Sequence, residues 1–300
     1  MIPDFDHLQP LPKPQPVHLS GRSTSPKAHL GKPATSVMNL DRKSRLAKAL
    51  KRLVGDAGEL RGGASVYPPD LTMFIVAAHS RPGDLIVDPF AGGGTRAIIS
   101  AHLGRRYLGL DIRADEVARV NARLKSLGLA DLASIEHADA TTFDWTSAVG
   151  PQSASLVMTC PPYWNLEQYR GGPRDLSSLP TYAAFLSATS GAIDHLSSAL
   201  TLDAFAVWTL GRLAHPLTNE LLDLPGHVEQ VHRERGYRTH DRQVVTGLSP
   251  APARTRTFLQ SRRSLRNHEE VVVMRYLPLP ATTQASTDTP RSGAPQRREP

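Results

Sequence analysis

Residues 84–111 read DLIVDPFAGGGTRAIISAHLGRRYLGLD, and the fold follows from this stretch. Leu85, Ile86 and Val87 make an apolar run too short for a helix and suited to a buried parallel strand. The run ends at Asp88. Pro89 to Gly94 follow as a turn with three consecutive glycines, where the backbone can take positive φ and approach a ligand closely. Thr95 is placed to N-cap a helix over Arg96 to Leu103, in which Ala97, Ile98, Ile99 and Ala101 recur at helical spacing. A second strand, Tyr107 to Leu110, ends in Asp111. Strand, glycine turn, helix, strand and acid, in that order, make the first half of a nucleotide-type binding fold.

The ligand differs from a dinucleotide. GxGxxG is absent, and Asp88 stands just before the turn, where a carboxylate repels a pyrophosphate and suits an ammonium group. Asp111, at the end of the second strand, can hold a ribose diol. S-adenosylmethionine carries both groups.

Three hundred residues, 40% hydrophobic and 21% charged, allow one packed domain of about two hundred residues or slightly more, with tails. A net charge of +7 and a pI near 9.7 favour a polyanionic partner. A single cysteine excludes an internal disulfide framework and a cysteine-based zinc site, and the histidines are scattered without metal-ligand spacing. No apolar run approaches the roughly 18 residues of a membrane span, and the N-terminus lacks a signal-peptide core, so a cytoplasmic protein is expected.

Residues 1–36, rich in Pro, Ser, His and Lys, read as a disordered tail, and residues 277–300 as a second one. Residues 37–66 are expected to hold a basic amphipathic helix over Leu40 to Val54 and a glycine linker at Arg61; the basic face is either solvated or in contact with phosphate. Residues 67–276 form the main domain. A short helix over Leu71 to His79 precedes the first strand, and a helix over Asp115 to Leu127 follows the second. A third strand, Leu132 to Ile135, ends near Asp139, where an acid commonly meets the adenine amino group in such folds; Asp144 and Asp131 compete for that role. Then come strand Ser155 to Thr159, helix Thr181 to Leu200, strand Ala204 to Leu210, helix Leu217 to Arg235, and strands Gln243 to Thr246 and Glu270 to Tyr276. The alternation implies a doubly wound, mostly parallel α/β sheet with its ligand at the carboxyl ends of the strands.

The fourth strand runs into Cys160-Pro-Pro-Tyr-Trp-Asn. Two prolines fix the backbone and remove two amide donors, so carbonyl oxygens and the flat ring of Tyr163 enter the cleft at the sheet's switch point. A planar base can stack on Tyr163 while its amino group donates to the Pro161 carbonyl and to the side chain at 160. Such an amine has its lone pair delocalised into the ring, and acceptors aimed at its hydrogens favour a nucleophilic, tetrahedral nitrogen. A base in a duplex would have to leave its stack to reach such a cleft, at a cost of a few kcal/mol that an aromatic platform partly offsets. Asn165, Glu167 and Tyr169 are candidates for the rim. The proline- and arginine-rich stretch 212–268, with Arg233, Arg235, Arg238, Arg242, Arg254, Arg256, Arg262, Arg263 and Arg266, is the candidate for DNA contact, and His268-Glu269-Glu270 reads as strand entry.

DPFAGGGT followed by LGRRYLGLDIR resembles the cofactor motif of S-adenosylmethionine-dependent amino-methyltransferases acting on DNA, written DPF-x-G-x-G-T and LG-x-x-Y/F-x-G-x-D. With TCPPYWNLEQY, GLDIRADEVARVN and HEEVVVM added, the chain resembles a phage- and plasmid-associated branch of DNA modification methylases that carries TCPPY, over about Tyr67 to Tyr276. The resemblance implies a seven-stranded Rossmann-like methyltransferase sheet and methylation of adenine-N6 or cytosine-N4 in double-stranded DNA with the target base flipped. It implies cofactor contacts from Tyr67, Asp88, Pro89, Phe90, Ala91, Gly92, Gly94, Thr95, Asp111, Ile112, Asp139 and Ala140. Cys160, Pro161, Pro162 and Tyr163 would hold the base, with no metal. Cys160 departs from the Asp, Asn or Ser usual there, and a thiol is a weak acceptor. TSPPYW-type motifs go with cytosine and DPPY-type with adenine, so the target base stays open, as do the recognition sequence, any restriction partner and the oligomeric state. An RNA amino-methyltransferase shares both motifs, and a nucleic-acid-binding protein that keeps the fold without turnover is the reading from another class.

Overall fold

The computed structural model describes residues 36–40, 48, 52–53, 67–166, 168–246 and 268–278. Nearly all of both expected tails, nearly all of the expected helix over 40–54, and the linker at 61–63 lie outside the described residues, as do Arg254, Arg256, Arg262, Arg263 and Arg266.

In chain order the elements are β1 (Val37–Asn39), α1 (Pro69–His79), β2 (Leu85–Asp88), α2 (Thr95–His102), β3 (Arg106–Asp111), α3 (Ala114–Ser126), β4 (Ala133–His137), α4 (Trp145–Val149), β5 (Ala154–Thr159), α5 (Tyr182–Ser197), β6 (Leu200–Leu210), β7 (Leu213–Ala214), β8 (Leu221–Leu222), α6 (Leu224–Arg233), β9 (Tyr237–Thr246) and β10 (Glu269–Tyr276). The main sheet runs β1-β9-β10-β6-β5-β2-β3-β4. Its neighbours are parallel except at β10, which is antiparallel to both β6 and β9. From β2 the chain winds outward through β3 and β4, then crosses back to β5 and β6 on the other side. The strand order therefore reverses between β2 and β5, and a Rossmann-like α/β sheet opens its ligand crevice at such a switch point. Each face carries its own core. Trp145, Phe185, Ile193, Leu196 and Trp208 pack on one side, and Leu71, Ile75, Ile98, Ile99, Val120 and Leu124 on the other. Among the described residues no helix is long and apolar enough to cross a membrane.

Four expectations are corrected. Among the described residues the sheet has eight strands, not seven, because Val37–Asn39 adds an edge strand parallel to β9, with the Val244 amide donating to the Ser36 carbonyl at 2.7 Å. The folded domain thus begins before Tyr67. Thr95 is not the N-cap of α2: Gly94, at φ 82°, occupies that position and Thr95 is the first helical residue. The helix expected over Leu217 to Arg235 begins only at Leu224, where Asp223 accepts from the Gly226 amide at 3.1 Å and Pro225 sits in the first turn. Proline is tolerated there because that turn's N–H groups lack helical partners. Ahead of that start, Leu221–Leu222 pairs with Leu213–Ala214 in a hairpin. Leu200, expected to end a helix, opens β6 instead.

Two glycines are needed for the first βα unit to close. A Cβ on Gly94 would stand 2.5 Å from Val120 Cγ1 on α3. On Gly109 it would stand 2.6 Å from Ala91 Cβ and 2.8 Å from the Tyr107 ring, so β3 could not pass the turn after β2.

Candidate active site

At the switch point the ends of β2 and β5 are tied by side chains. Thr159, the last residue of β5, donates its hydroxyl to Asp88 Oδ1 at 2.6 Å, and the Phe90 amide donates to the same oxygen at 3.0 Å. Oδ2 accepts from Arg96 Nε at 2.5 Å and from the Tyr107 hydroxyl at 2.7 Å. Asp88 is fully buried and all four of its acceptor directions are used by the chain itself. The expectation that it holds the cofactor's ammonium is therefore corrected: Asp88 orders the glycine turn from beneath and does not line the cleft. Arg96, which helical periodicity alone did not single out, is its counter-ion. Arg96 Nη2 donates to the Phe90 carbonyl at 2.6 Å, and the guanidinium lies 4.7 Å from the centroid of the Tyr67 ring. Burial, the largest single influence, disfavours the Arg96 charge, but Asp88 together with Tyr107, Cys160 and Tyr67 outweighs it and holds the guanidinium's pKa above its ordinary value.

One cleft gathers the other predicted residues. Tyr67, Pro89, Phe90, Ala91, Gly92 and Thr95 line it, together with Asp111, Ile112, Asp139 and Ala140. Cys160, Pro161, Pro162 and Tyr163 line the same space. Of the residues expected to hold the cofactor or the base, only Asp88 and Gly94 do not line it, and Gly94 packs close to Val120 instead.

Two carboxylates offer acceptors to a ligand. Asp111, at the end of β3, takes the Arg113 amide at 2.8 Å and Arg113 Nε at 3.4 Å on Oδ1 alone, which leaves Oδ2. Burial raises its pKa, with Arg113 opposing that change and Glu116 adding to it. Asp139 follows β4. Its Oδ1 accepts from the Thr141 amide at 2.9 Å and the Thr141 hydroxyl at 2.7 Å. Its Oδ2 is buried and accepts no hydrogen bond, with Arg174 Nη1 at 3.4 Å as an ion partner. A buried acceptor left over in this way fits a donor such as an exocyclic amine. Asp144 spends its carboxylate capping α4 through Ser147, and Asp131 is exposed.

Tyr163 is held rigidly. Its hydroxyl donates to the Thr209 carbonyl at 3.3 Å and stands 3.2 Å from Cys160 Sγ. The Tyr67 hydroxyl meets Thr209 Oγ1 at 2.6 Å, so both tyrosines are fastened to the same residue of β6. Cys160 is partly reached from the cleft yet enclosed enough that burial, then the Glu269 carboxylate, pushes its thiol up to about 12. It stays a thiol near neutral pH, which removes thiolate attack from the chemistry.

Several lining residues escaped the sequence reading. Arg113, Arg174, Asp175 and Leu176 line the cleft, and so does Glu269. Tyr169, expected at the rim, does line it, with Arg113 5.8 Å from its ring centroid. Asn165 does not, and Glu167 lies outside the described residues. Asp175 organises the strap after the CPPY loop, accepting from the Gly171 amide at 2.8 Å and the Ser177 amide at 2.8 Å. Such loop contacts leave no periodic trace in the sequence. Three arginines of the expected DNA-contact stretch are used inside the fold: Arg233 pairs with Glu229, Arg235 with Asp194, and Arg242 with Glu229 and Glu270. Among the described residues no three His, Cys, Asp or Glu side chains are grouped to hold a metal.

Residues 49–121 match the family model described as DNA methylase. Sixty residues are 43% identical to the Type II methyltransferase M1.MboII of Moraxella bovis, covering 20% of this chain and 23% of that protein. Fifty-nine are 36% identical to the Type II methyltransferase M2.DpnII of Streptococcus pneumoniae, covering 20% and 22%. The chain thus spans less than a quarter of the length of these curated relatives. Among solved structures, the [4+2]-cyclase SpnF aligns at a TM-score of 0.50 and 13% identity, over 73% of this chain and 86% of that one, a likeness of fold.

Proposed function

We propose that this chain is an S-adenosylmethionine-dependent DNA methyltransferase acting on the exocyclic amine of adenine or cytosine in a base turned out of the duplex. The observation that carries the reading is a single cleft holding both the glycine turn with its acids and the CPPY loop. The match of residues 49–121 to the DNA methylase model supports it. The Type II designation of the relatives is the ground for placing the chain with modification enzymes of restriction systems.

The cofactor supplies an electrophilic methyl group on a sulfonium. Asp111 Oδ2 is the acceptor for its ribose hydroxyls and Asp139 Oδ2 the acceptor for its adenine amine; Phe90 and Ile112 give the apolar walls. Asp88 acts one layer back, through Arg96 and the Phe90 amide, by fixing the turn's shape. Pro161 and Cys160 face the substrate amine and Tyr163 its ring. Near-attack alignment is the main contribution such a rigid cleft makes, since direct displacement requires no activated side chain beforehand.

The test is transfer of radiolabelled methyl from S-adenosylmethionine to unmethylated genomic DNA, with total RNA in parallel and nucleoside mass spectrometry after. N6-methyladenine or N4-methylcytosine in the DNA is the expected result. Label in RNA alone replaces the substrate class. No label in either, with cofactor bound, replaces the enzyme by a binding protein.

A further inference from the structure

We infer that Glu269 is a catalytic residue of this cleft: its carboxylate accepts a hydrogen bond from the substrate amine and takes the proton that methyl transfer leaves on it. The inference rests on the amine-methylating reading above and deepens it.

The chemistry leaves a place for such a group. An exocyclic amine becomes nucleophilic when acceptors hold its hydrogens out of the ring plane, and after transfer the nitrogen carries one proton too many. The Pro161 carbonyl can take one hydrogen. The side chain at 160 is a protonated thiol, a weak acceptor, with the Tyr163 hydroxyl already 3.2 Å from its sulfur. A carboxylate supplies both a strong acceptor and a proton sink.

The fold brings one there. Because β10 runs against its neighbours, its first residues sit at the edge where the parallel strands end: Glu270 pairs with Leu210, the last residue of β6. Side chains alternate along the strand. Glu270 lies on the face of Val272 and Met274 and pairs with Arg242 at 3.4 Å. Glu269 lies on the opposite face, with Val271 and Val273, and lines the cleft together with Tyr67, Cys160 and Tyr163. Its charge is felt at two of those groups, raising the Cys160 thiol after burial and helping to raise Tyr67. An acid at the head of a valine-rich strand is thus aimed at the base half of the site.

The step balances. The amine nitrogen forms a bond to the methyl carbon as the carbon–sulfur bond breaks, the electron pair stays on sulfur, and the surplus N–H proton passes to the Glu269 carboxylate. The negative charge also stabilises the positive charge as it moves from sulfur to nitrogen.

The experiment compares wild-type protein with Glu269→Gln, Glu270→Gln and the double variant Glu269→Gln/Cys160→Asp, on single-stranded oligonucleotides containing the modified base. Binding is read with S-adenosylhomocysteine present, against the same oligonucleotide with the base's amino group replaced by hydrogen. Wild-type protein is expected to prefer the amine-bearing base about 10-fold, and Glu269→Gln to lose most of that preference. Methyl transfer by Glu269→Gln should fall about 100-fold in kcat at unchanged S-adenosylhomocysteine affinity, with its acid pH limb flattened. Glu270→Gln should stay within about 2-fold of wild type, since a half-exposed ion pair contributes little. Cys160→Asp should return part of the activity lost, because it restores an acceptor at the neighbouring position. Glu269→Gln with wild-type kcat and base preference overturns the inference and leaves the methyltransferase reading standing. So does a loss matched by an equal loss of cofactor affinity, which marks a structural role. Absence of transfer by the wild-type protein overturns the underlying reading and this inference with it.

Discussion

On the proposed reading, two side chains of the cleft separate cofactor binding from base handling. Tyr163 presents its ring to the cleft while its hydroxyl is fastened to Thr209. Tyr163→Ala removes the stacking surface, worth about 1–3 kcal/mol per base, without touching Asp111 or Asp139. Methyl transfer should fall roughly 10- to 100-fold while calorimetric affinity for S-adenosylhomocysteine stays within about 2-fold. Parallel loss of both would remove Tyr163 from the base pocket. Asp139 makes the complementary case. Asp139→Asn can keep an oxygen on Thr141, but it then turns an amide donor toward the place where an adenine amine must donate. Cofactor affinity should weaken by about 10-fold or more, the size of an unpaired buried group. Arg174→Ala, which strips a largely exposed cation from the same oxygen, should leave affinity unchanged or raise it. If Arg174→Ala weakens binding as much as Asp139→Asn, the arginine is itself a ligand contact and the Oδ2 assignment is wrong.

The first βα unit shows how a glycine turn depends on its neighbours. Gly94 has φ 82°, and a Cβ there would stand 2.5 Å from Val120 Cγ1. Gly94→Ala adds about 1–2 kcal/mol for the left-handed conformation and about 1–3 kcal/mol for overpacking against α3. The urea midpoint should fall accordingly, and Val120→Ala in the Gly94→Ala background should recover the packing part but not the conformational part. Additive losses in the double variant would show that the two positions do not meet. This unit was legible in the sequence because an apolar run, three glycines and a terminal acid are local features. So was the CPPY loop, where two prolines leave the chain little choice. Legibility failed where distant groups decide the outcome. Asp88 looked like a ligand contact because its partners Arg96, Tyr107 and Thr159 come from α2, β3 and β5. Val37–Asn39 is too short to show a period and forms only by pairing with β9, more than two hundred residues away. Leu217 to Leu222 carries helical spacing, yet the Asp223 cap and Pro225 set the helix start after it.

At the scale of the whole molecule, the docking of α6 on the sheet sets a pH limit on stability. His232, near the end of α6, is 1% exposed and wedged between aromatic rings, 5.0 Å from Trp208 and 4.8 Å from Tyr237 by ring centroids. Its Nδ1 lies 2.8 Å from the Val228 carbonyl, which can only accept, so Nδ1 is the donor and Nε2 is the nitrogen left to titrate. Burial, with the nearby Arg235 charge adding to it, lowers its pKa from 6.5 to about 4. The folded state therefore holds a neutral ring where the unfolded chain takes up a proton. Between pH 6.5 and about 4 the unfolded state binds more protons, so stability falls as the pH drops through that window and does not change from this source above it. The full effect is about 3 kcal/mol, since each tenfold loss of proton affinity corresponds to about 1.4 kcal/mol. His79, lowered to about 4 by its burial, acts in the same direction, but it is only half-buried and contributes less. Carboxylates also titrate in this range, and the comparison that isolates the histidine is wild type against His232→Gln in urea unfolding at about pH 7.5, 6.5, 5.5 and 4.5. The variant should begin less stable at the highest pH, since the ring packing is lost, and then decline more shallowly on acidification. Parallel declines in the two proteins would mean that His232 is protonated in the folded state, and that α6 accommodates a charge between Trp208 and Tyr237.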